Sequence, residues 1–382
     1  MKKKLRVLQL GKYFYPFKGG IELVSYELAC SLNNKEIKCD VLCLSHDRQS
    51  HTVDVNFKVI RARSLFKLGS VDFSWEYIKE FRSVMADYDV IHIHLPNPMA
   101  HLAVLFCRPK AKLVLHWHSD IIAQKFLNKF YSPFLKRLIK KSSAVIGATP
   151  AHINESDYSD FFLNKSFLIP YVFDYQKYAS IPIDKEAVSK ISKKYGGRKI
   201  VFSVGRHVYY KGFSDLVETS LHLPDDWVIV IGGSGPDSKA LQSKIHMLSQ
   251  QNKVFLTGRL SDEELVNFLD ACRVFAFPSV FRSEMFGMVQ LEAFSRSKPV
   301  VATDIPRSGV PHVNKNDVTG FSVPIHRPDK IAAAILDISS EDRYKDFCSQ
   351  AKSWVMANFD HSEIAKKHIE VYENILSKKS IA

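Results

Sequence analysis

The chain has 382 residues, a formal net charge of +13 and 46% apolar content, which is too long for one ordinary core and too apolar for disorder. No apolar run reaches the roughly 18 to 20 residues that cross a bilayer, and MKKKLRVLQL leads into a strand-like segment without a signal-peptide pattern, so a cytoplasmic protein is expected. Cys30, Cys39, Cys43, Cys107, Cys272 and Cys348 form no CxxC pair and no His/Cys ligand spacing, and read as buried reduced thiols. The charge is uneven: residues 1–170 carry a net +10 and the remainder +3. A basic half can meet nucleic acid, anionic lipid or a phosphorylated substrate. No nucleic-acid motif accompanies it, so no nucleic-acid partner is expected.

In chain order, short β-branched runs alternate with amphipathic segments: LRVLQL (5–10), CDVLCL (39–44), DVIHIH (89–94), KLVLHWH (112–118), SAVIGAT (143–149) and SFLIP (166–170). A second series is KIVFSVG (199–205), WVIVIGG (227–233), VFLTG (254–258), VFAFPS (274–279), PVVATD (299–304) and GFSVP (320–324). Strand alternating with helix predicts parallel sheets covered on both faces, hence an α/β fold of two Rossmann-like, doubly wound domains. The boundaries predicted are 1–173, 174–358 and a last amphipathic helix over 359–382. Ligands of such sheets bind beyond the carboxyl ends of the strands.

Three loops at those ends carry chemistry. Gly205-Arg206-His207-Val208-Tyr209-Tyr210-Lys211-Gly212 joins the planar fork of Arg206 to the point charge of Lys211 before a helix start, a combination suited to a diphosphate. Two solvated cations on a loop are the bland alternative. Gly232-Gly233-Ser234-Gly235 would let a phosphate or ring approach the backbone, although glycine turns after strands are common. Ser283-Glu284-Met285-Phe286-Gly287-Met288 opens a helix that contains Glu292. Glu284 in the loop and Glu292 inside the helix lie at different depths, as two sets of hydroxyls on one ligand would require. A glycosidase pair facing one bond is the poorer match. Asp87-x-Asp89 precedes a strand instead of ending one and reads as structural.

Glu284-x7-Glu292 within SEMFGMVQLEAFSRSKPVVATD, the Arg206 and Lys211 loop, and Gly19-Gly20-Ile21-Glu22 after the first strand resemble the retaining GT-B glycosyltransferases of family 4. The resemblance runs from the first strand to the last helix. It implies two Rossmann-like domains facing each other across an active-site cleft, the first on the acceptor side, the second holding a nucleotide-sugar donor, and the last helix returning to the first domain. Arg206 and Lys211 would then hold the donor diphosphate. Glu284 would contact hydroxyls of the transferred sugar, with main-chain N–H groups around Phe286, Gly287 and Met288. Glu292 would bind the ribose, while Gly19, Gly20 and Gly233 approach the donor. His118, in His116-Trp117-His118-Ser119-Asp120, would face the reacting sugar. The expected catalytic set is His118, Glu284, Arg206 and Lys211, with no metal and no cofactor beyond the donor. One departure is Tyr171-Val172-Phe173-Asp174, where relatives carry Asn-Gly before the apolar residue and Asp.

HWHSD with SEMFG and QLEA looks most like bacterial transferases that build O-antigen on a lipid carrier, which implies mannose from GDP-mannose and a lipid-linked saccharide acceptor. UDP-glucose, UDP-galactose and UDP-N-acetylhexosamines remain alternative donors, and a catalytically inactive sugar-nucleotide-binding scaffold is the alternative class. Residues 125–141, KFLNKFYSPFLKRLIKK, hold six cations and no acid. Lys125, Lys129, Lys136, Arg137, Lys140 and Lys141 are expected to meet an anionic membrane surface, making the protein peripheral on the cytoplasmic face of the inner membrane. Packing of the apolar stripe on its own domain, with Pro133 causing a kink, is the competing reading.

Overall fold

The structure is a computed structural model. It describes residues 4–378 apart from 18, 36, 47–48, 55, 69–70 and 122–124, and omits the side chains of 67–68, 71 and 125–130. Two compact units emerge: residues 1–173 with 360–382, and residues 174–359.

The first unit contains β1 (Arg6–Leu10), β2 (Lys38–Leu44), β3 (His51–Asp54), β4 (Lys58–Ala62), β5 (Phe66–Leu68), β6 (Val71–Phe73), β7 (Val90–Leu95), β8 (Lys112–Trp117), β9 (Ala144–Gly147) and β10 (Ser166–Leu168). Eight of them form a sheet in the order β10-β9-β8-β7-β1-β2-β4-β3, and β5 pairs only with β6. Every pairing in the larger sheet is parallel except β3 against β4. Helices cover both faces, so the central strands are buried almost throughout, including the polar Gln9, His92, His94 and His116. Leu8, Leu42, Ile91, Ile93, Leu115 and Val145 are buried in one continuous core. Asp89 accepts the Arg6 main-chain N–H at 3.0 Å and Asp87 lies 3.8 Å from the Arg6 guanidinium, so this acidic pair fastens the start of β1. The helix His361–Ser377 packs against the helix Gly20–Asn33 in this unit.

The second unit contains β11 (Lys199–Val204), β12 (Trp227–Gly232), β13 (Val254–Gly258), β14 (Val274–Phe277), β15 (Val300–Asp304) and β16 (Gly320–Pro324). They form a parallel sheet in the order β13-β12-β11-β14-β15-β16. The order reverses between β11 and β14, and at such a switch point flanking loops diverge to leave a crevice. Val201, Ile229, Ile231, Ala276 and Val301 form the core under the helices. A buried ion pair ties the helix Met288–Ser295 region to its surroundings: Arg296 meets both Asp270 oxygens at 2.7 and 2.5 Å and donates to the carbonyls of Tyr178 and Ile181 at 2.7 Å. Both side chains are almost fully buried.

All twelve strands read from the sequence occur. The four extra strands, β3 to β6, escape that reading because they are short or interrupted by charge. In β4, Lys58 and Arg61 break the apolar run although Val59, Ile60 and Ala62 are buried.

Breaking a buried pair leaves an uncompensated charge, which costs about 3–5 kcal/mol. Asp270→Ala should therefore destabilise the second unit by about that amount in denaturant unfolding, and a loss below about 1 kcal/mol would mean that Arg296 finds another partner.

Candidate active site

In the second unit, the loops after β11, β12 and β14 are pressed together through glycine. Gly212 has φ +66°, and a Cβ there would stand 1.8 Å from the Pro278 carbonyl oxygen. Gly233 has φ +111°, and its Cβ would stand 1.9 Å from the Gly205 carbonyl oxygen. Only glycine fits either position without moving backbone. Main-chain bonds complete the contact: Gly205 N–H to Gly232 O at 3.1 Å, His207 N–H to Ser234 O at 3.1 Å, and Val280 N–H to Tyr210 O at 2.8 Å.

Lys211 closes a short 3₁₀ turn, Tyr209–Lys211, and its ammonium pairs with the Glu284 carboxylate. The two residues, 73 positions apart, are both mostly buried. Ser279 Oγ lies 3.5 Å from the same carboxylate oxygen, and Ser308 donates to the Glu284 carbonyl. Lys211 Nζ also sits 5.3 Å from the centroid of the Phe277 ring. Arg206 is exposed and makes no hydrogen bond or ion pair among the described residues. The loop thus offers one free cation and one cation shared with a carboxylate.

Gly287, at φ +78°, precedes the helix Met288–Ser295. The Phe286 side chain is buried with its ring 5.9 Å from Phe359, so this residue can reach a ligand only through its backbone. Glu292 is 8% exposed and accepts from the Tyr178 hydroxyl at 3.2 Å. Tyr178 belongs to the helix Tyr175–Ala179, and no sequence motif pointed to it. His207 was likewise passed over. It is buried, its Nδ1 lies 2.9 Å from Ser238 Oγ, its Nε2 has no partner, and burial lowers its pKa.

In the first unit, Gly19 is extended and its Cβ would meet a Glu22 carboxylate oxygen at 2.1 Å, so the acid folds back over it. Burial raises the Glu22 pKa. Gly20 opens the helix and has free space where a side chain would stand.

His118 is buried, and both of its ring nitrogens are engaged inside the unit: Nε2 with His94 Nδ1 at 2.9 Å and Nδ1 with the Tyr171 hydroxyl at 2.7 Å. The row continues from Tyr171 to His152 Nε2 at 3.2 Å, and from His152 Nδ1 to Thr149 Oγ1 at 2.8 Å. At its other end His94 Nε2 meets the Gln9 amide at 2.6 Å. With the Gln9 nitrogen turned toward His94 and Ser25, its oxygen accepts from the Ala29 N–H at 3.2 Å. That orientation, assigned from the network, puts the proton of His94, His118 and His152 on Nδ1 and leaves no bond in the row without a donor. Tyr171, the departure from the family pattern, is therefore the residue that holds His118.

A second set adjoins it. His92 Nδ1 meets the Tyr372 hydroxyl at 2.7 Å, and His92 Nε2 meets His116 Nδ1 at 3.1 Å. The pairing of β7 with β8, His94 opposite His116, and the two-residue period of a strand place all four imidazoles on one face. HIH and HWH on adjacent strands were the sequence signal, but it becomes a cluster only once the register is known. His92, His94 and His116 each offer a ring nitrogen within 4.8 Å of the others, the one group among the described residues able to hold a metal ion. A tetrahedral zinc site would draw those nitrogens to roughly 3.4 Å. In this structure His92 and His116 bond each other, His94 is engaged by Gln9 and His118, and His116 Nε2 is buried without a partner.

The basic helix spans Lys125–Lys141. Leu135, Leu138 and Ile139 are buried in their own unit, while Phe134, Arg137, Lys140 and Lys141 are exposed. Lys136 lies 4.7 Å from the centroid of the Phe161 ring. The side chains of Lys125 and Lys129 fall outside the described residues. The apolar stripe of the described part thus packs inward, and a basic face with one phenyl ring stays outside. No described helix is long and apolar enough to cross a membrane.

Comparison with known proteins assigns both units. Residues 18–155 match the family model described as Glycosyltransferase Family 4, and residues 184–354 the one described as Glycosyl transferases group 1. The chain is 33% identical over 329 residues to the D-rhamnosyltransferase WbpZ of Pseudomonas aeruginosa, covering 85% of this chain and 84% of that one. It is 28% identical over 381 residues to the O-antigen chain mannosyltransferase C of Escherichia coli, covering 98% and 100%. Among solved structures, HepE of Anabaena in complex with UDP and glucose superposes with a TM-score of 0.76 at 18% identity, covering 97% of this chain and 100% of that one. Sucrose-phosphate synthase of Thermosynechococcus elongatus gives 0.80 at 17%, covering 98% and 100%.

The histidine core sets an acid limit. Burial lowers the pKa of His92, His116 and His118 far below 6.5, that of His94 and His152 to about 3 and that of His368, on the last helix with its ring 6.1 Å from His92, to about 4. A lowered folded pKa means that the unfolded chain binds the extra protons, so stability is complete above pH ~6.5 and falls as pH drops below it, by about 1.4 kcal/mol per pH unit for each histidine. Six such groups should open the first unit near pH 5 while the second persists. Hydrogen exchange should show β7 and β8 losing protection before β11 and β12. Equal protection of both sheets at pH 5 would contradict this account.

Proposed function

Because the chain belongs to the family 4 glycosyltransferases of GT-B fold, we propose that it transfers mannose from GDP-mannose, with retention, to a lipid-linked saccharide during assembly of an O-antigen or related polysaccharide. The observation that carries the site assignment is the Lys211 ammonium paired with the Glu284 carboxylate on glycine-locked loops, with Arg206 exposed on the same loop as Lys211. The sugar is suggested by the likeness to the Escherichia coli mannosyltransferase across 98% of this chain. The 33% identity to a D-rhamnosyltransferase favours a second reading, in which the donor sugar is the 6-deoxy relative of mannose.

In this reading an arriving diphosphate competes with Glu284 for Lys211. The ammonium swings to the phosphates, joined by Arg206, and the released carboxylate accepts hydroxyls of the sugar. As the glycosidic bond breaks, negative charge grows on the diphosphate and positive charge on the flattened ring. Both are better stabilised by these groups in the transition state than in the ground state. The leaving phosphate takes the acceptor's proton, so neither a carboxylate nucleophile nor a metal is called for. Glu292 binds the ribose, which undergoes no chemistry.

The two glutamates should separate in kinetics. Glu284→Gln is expected to lower kcat by on the order of 10² or more, about 2.7 kcal/mol, while leaving the affinity for product nucleotide nearly unchanged. Glu292→Gln should weaken nucleotide binding by roughly tenfold and touch kcat less. Calorimetric titration with GDP alongside steady-state rates in EDTA checks both, and the reverse pattern would exchange the two roles. GDP-mannose should raise the melting temperature of the wild type more than UDP-glucose, UDP-galactose or UDP-N-acetylglucosamine. If the 6-deoxy donor outperforms GDP-mannose, the second reading replaces the first.

The exposed face of the helix Lys125–Lys141 supports a peripheral membrane role on the cytoplasmic side, each cation near an anionic surface contributing about 1 kcal/mol. Arg137→Glu, Lys140→Glu and Lys141→Glu together should lower affinity for phosphatidylglycerol vesicles by at least about 10², with donor hydrolysis in solution unchanged. Vesicle sedimentation equal to that of the wild type would rule out this face as the contact.

A further inference from the structure

A pocket of about 650 Å³ opens in the first unit, lined among others by Tyr15, Phe17, Tyr26, Ser45, His46 and Arg61. It lies where the chain leaves β1 and β2 and at the end of β4, all parallel strands, so it occupies the side of the sheet on which ligands of this architecture bind. None of its residues belongs to the donor assignment above.

Its rings are held open. Tyr15 is 49% exposed and stacks on Tyr26 at 4.6 Å with 27° between planes. Phe17 lies 4.8 Å from His46 at 37°. Arg61 reinforces the wall by donating from Nη2 to the Tyr15 carbonyl at 2.5 Å, and its Nη1 approaches Cys43 Sγ at 3.9 Å. Among the described residues no carboxylate pairs with it. Large aromatic side chains gain most by burial, so a pair held at a pocket mouth by neighbouring main chain is a surface prepared for a ligand.

The lining selects the class of ligand. A pyranose has one face of C–H groups that lies on an aromatic ring, and an edge of hydroxyls that reaches hydroxyl, imidazole and guanidinium groups. Here two ring pairs supply the faces, and Ser45, His46 and Arg61 supply the edge. A lipid tail would strip water from those polar groups with nothing to replace it. We infer that this pocket binds a pyranose unit of the saccharide that receives the transferred sugar, an inference that rests on the glycosyl-transfer reading above.

Saturation-transfer NMR on the full chain with mannotriose tests it. The wild type should transfer saturation to the sugar protons, and Tyr15→Ala should weaken mannotriose binding by tenfold or more. Tyr15 is exposed, so its loss should leave the melting temperature and the GDP-induced shift unchanged. His46→Ala, on the second ring pair, provides an independent variant. No transfer in the wild type, or undiminished transfer in both variants, overturns the assignment. Transfer confined to the alkyl chain of dodecyl maltoside makes the pocket a lipid site and overturns it as well. A missing GDP shift with intact, Tyr15-dependent sugar binding would strike the donor reading of the second unit and leave the pocket as a saccharide site.

Discussion

Backbone-to-backbone contact at the carboxyl ends of β11, β12 and β14 is the constraint on which the second unit's chemistry depends. Two glycines, Gly212 and Gly233, allow neighbouring loops to approach closer than any side chain permits. That approach brings Lys211 to Glu284, across 73 residues of sequence. Neither residue is paired by local structure, and both are mostly buried, so their mutual attraction offsets part of the desolvation cost of keeping two charges at the site. A pair of this kind is also replaceable: a ligand carrying both negative phosphate and sugar hydroxyls can take over each half. In the proposed function, donor binding is thus a substitution of partners at this pair.

The first unit solves a different problem. Its sheet face toward the last helix is furnished with imidazoles where aliphatic side chains would ordinarily stand. Such a core is tolerable only if each ring stays neutral and finds a partner, and the row from Gln9 to Thr149 provides this for His94, His118 and His152. Low local dielectric makes each of these bonds stronger and each lapse more expensive. The cost is sensitivity to acid, and the gain is a fixed tautomer at His118. Tyr171, from the segment before the second unit, bridges His118 and His152 within the row, and Tyr372, from the last helix, bonds His92 in the adjoining set. The return of that helix to the first unit is accordingly a polar as well as an apolar contact.

Periodicity and turn chemistry made the architecture legible. Twelve short apolar runs alternating with amphipathic helical segments point to parallel sheets covered on both faces. The loop after β11 and the Glu284 to Glu292 segment were legible for the same local reason: charge and glycine at the carboxyl end of a strand. Strands β3 to β6 were not, since they are short and Lys58 and Arg61 interrupt β4. The aromatic pocket was invisible because Tyr15, Tyr26, His46 and Arg61 come from four separate segments, none with a pattern of its own.

By itself the sequence determined fold class, the positions of the strands and the identity of the charged residues that follow them, all of which depend on neighbours within a few positions. Tertiary structure alone decided who partners whom. Nothing local could show that Tyr178 reaches Glu292, that Lys211 is shared with Glu284, or that the unusual Tyr171 holds the ring of His118. Those contacts depend on strand order and register, which bring together residues that share no local pattern. The histidines at 92, 94, 116 and 118 show the division: their spacing was plain in the chain, and only the alignment of β7 with β8 turned it into a hydrogen-bonded core.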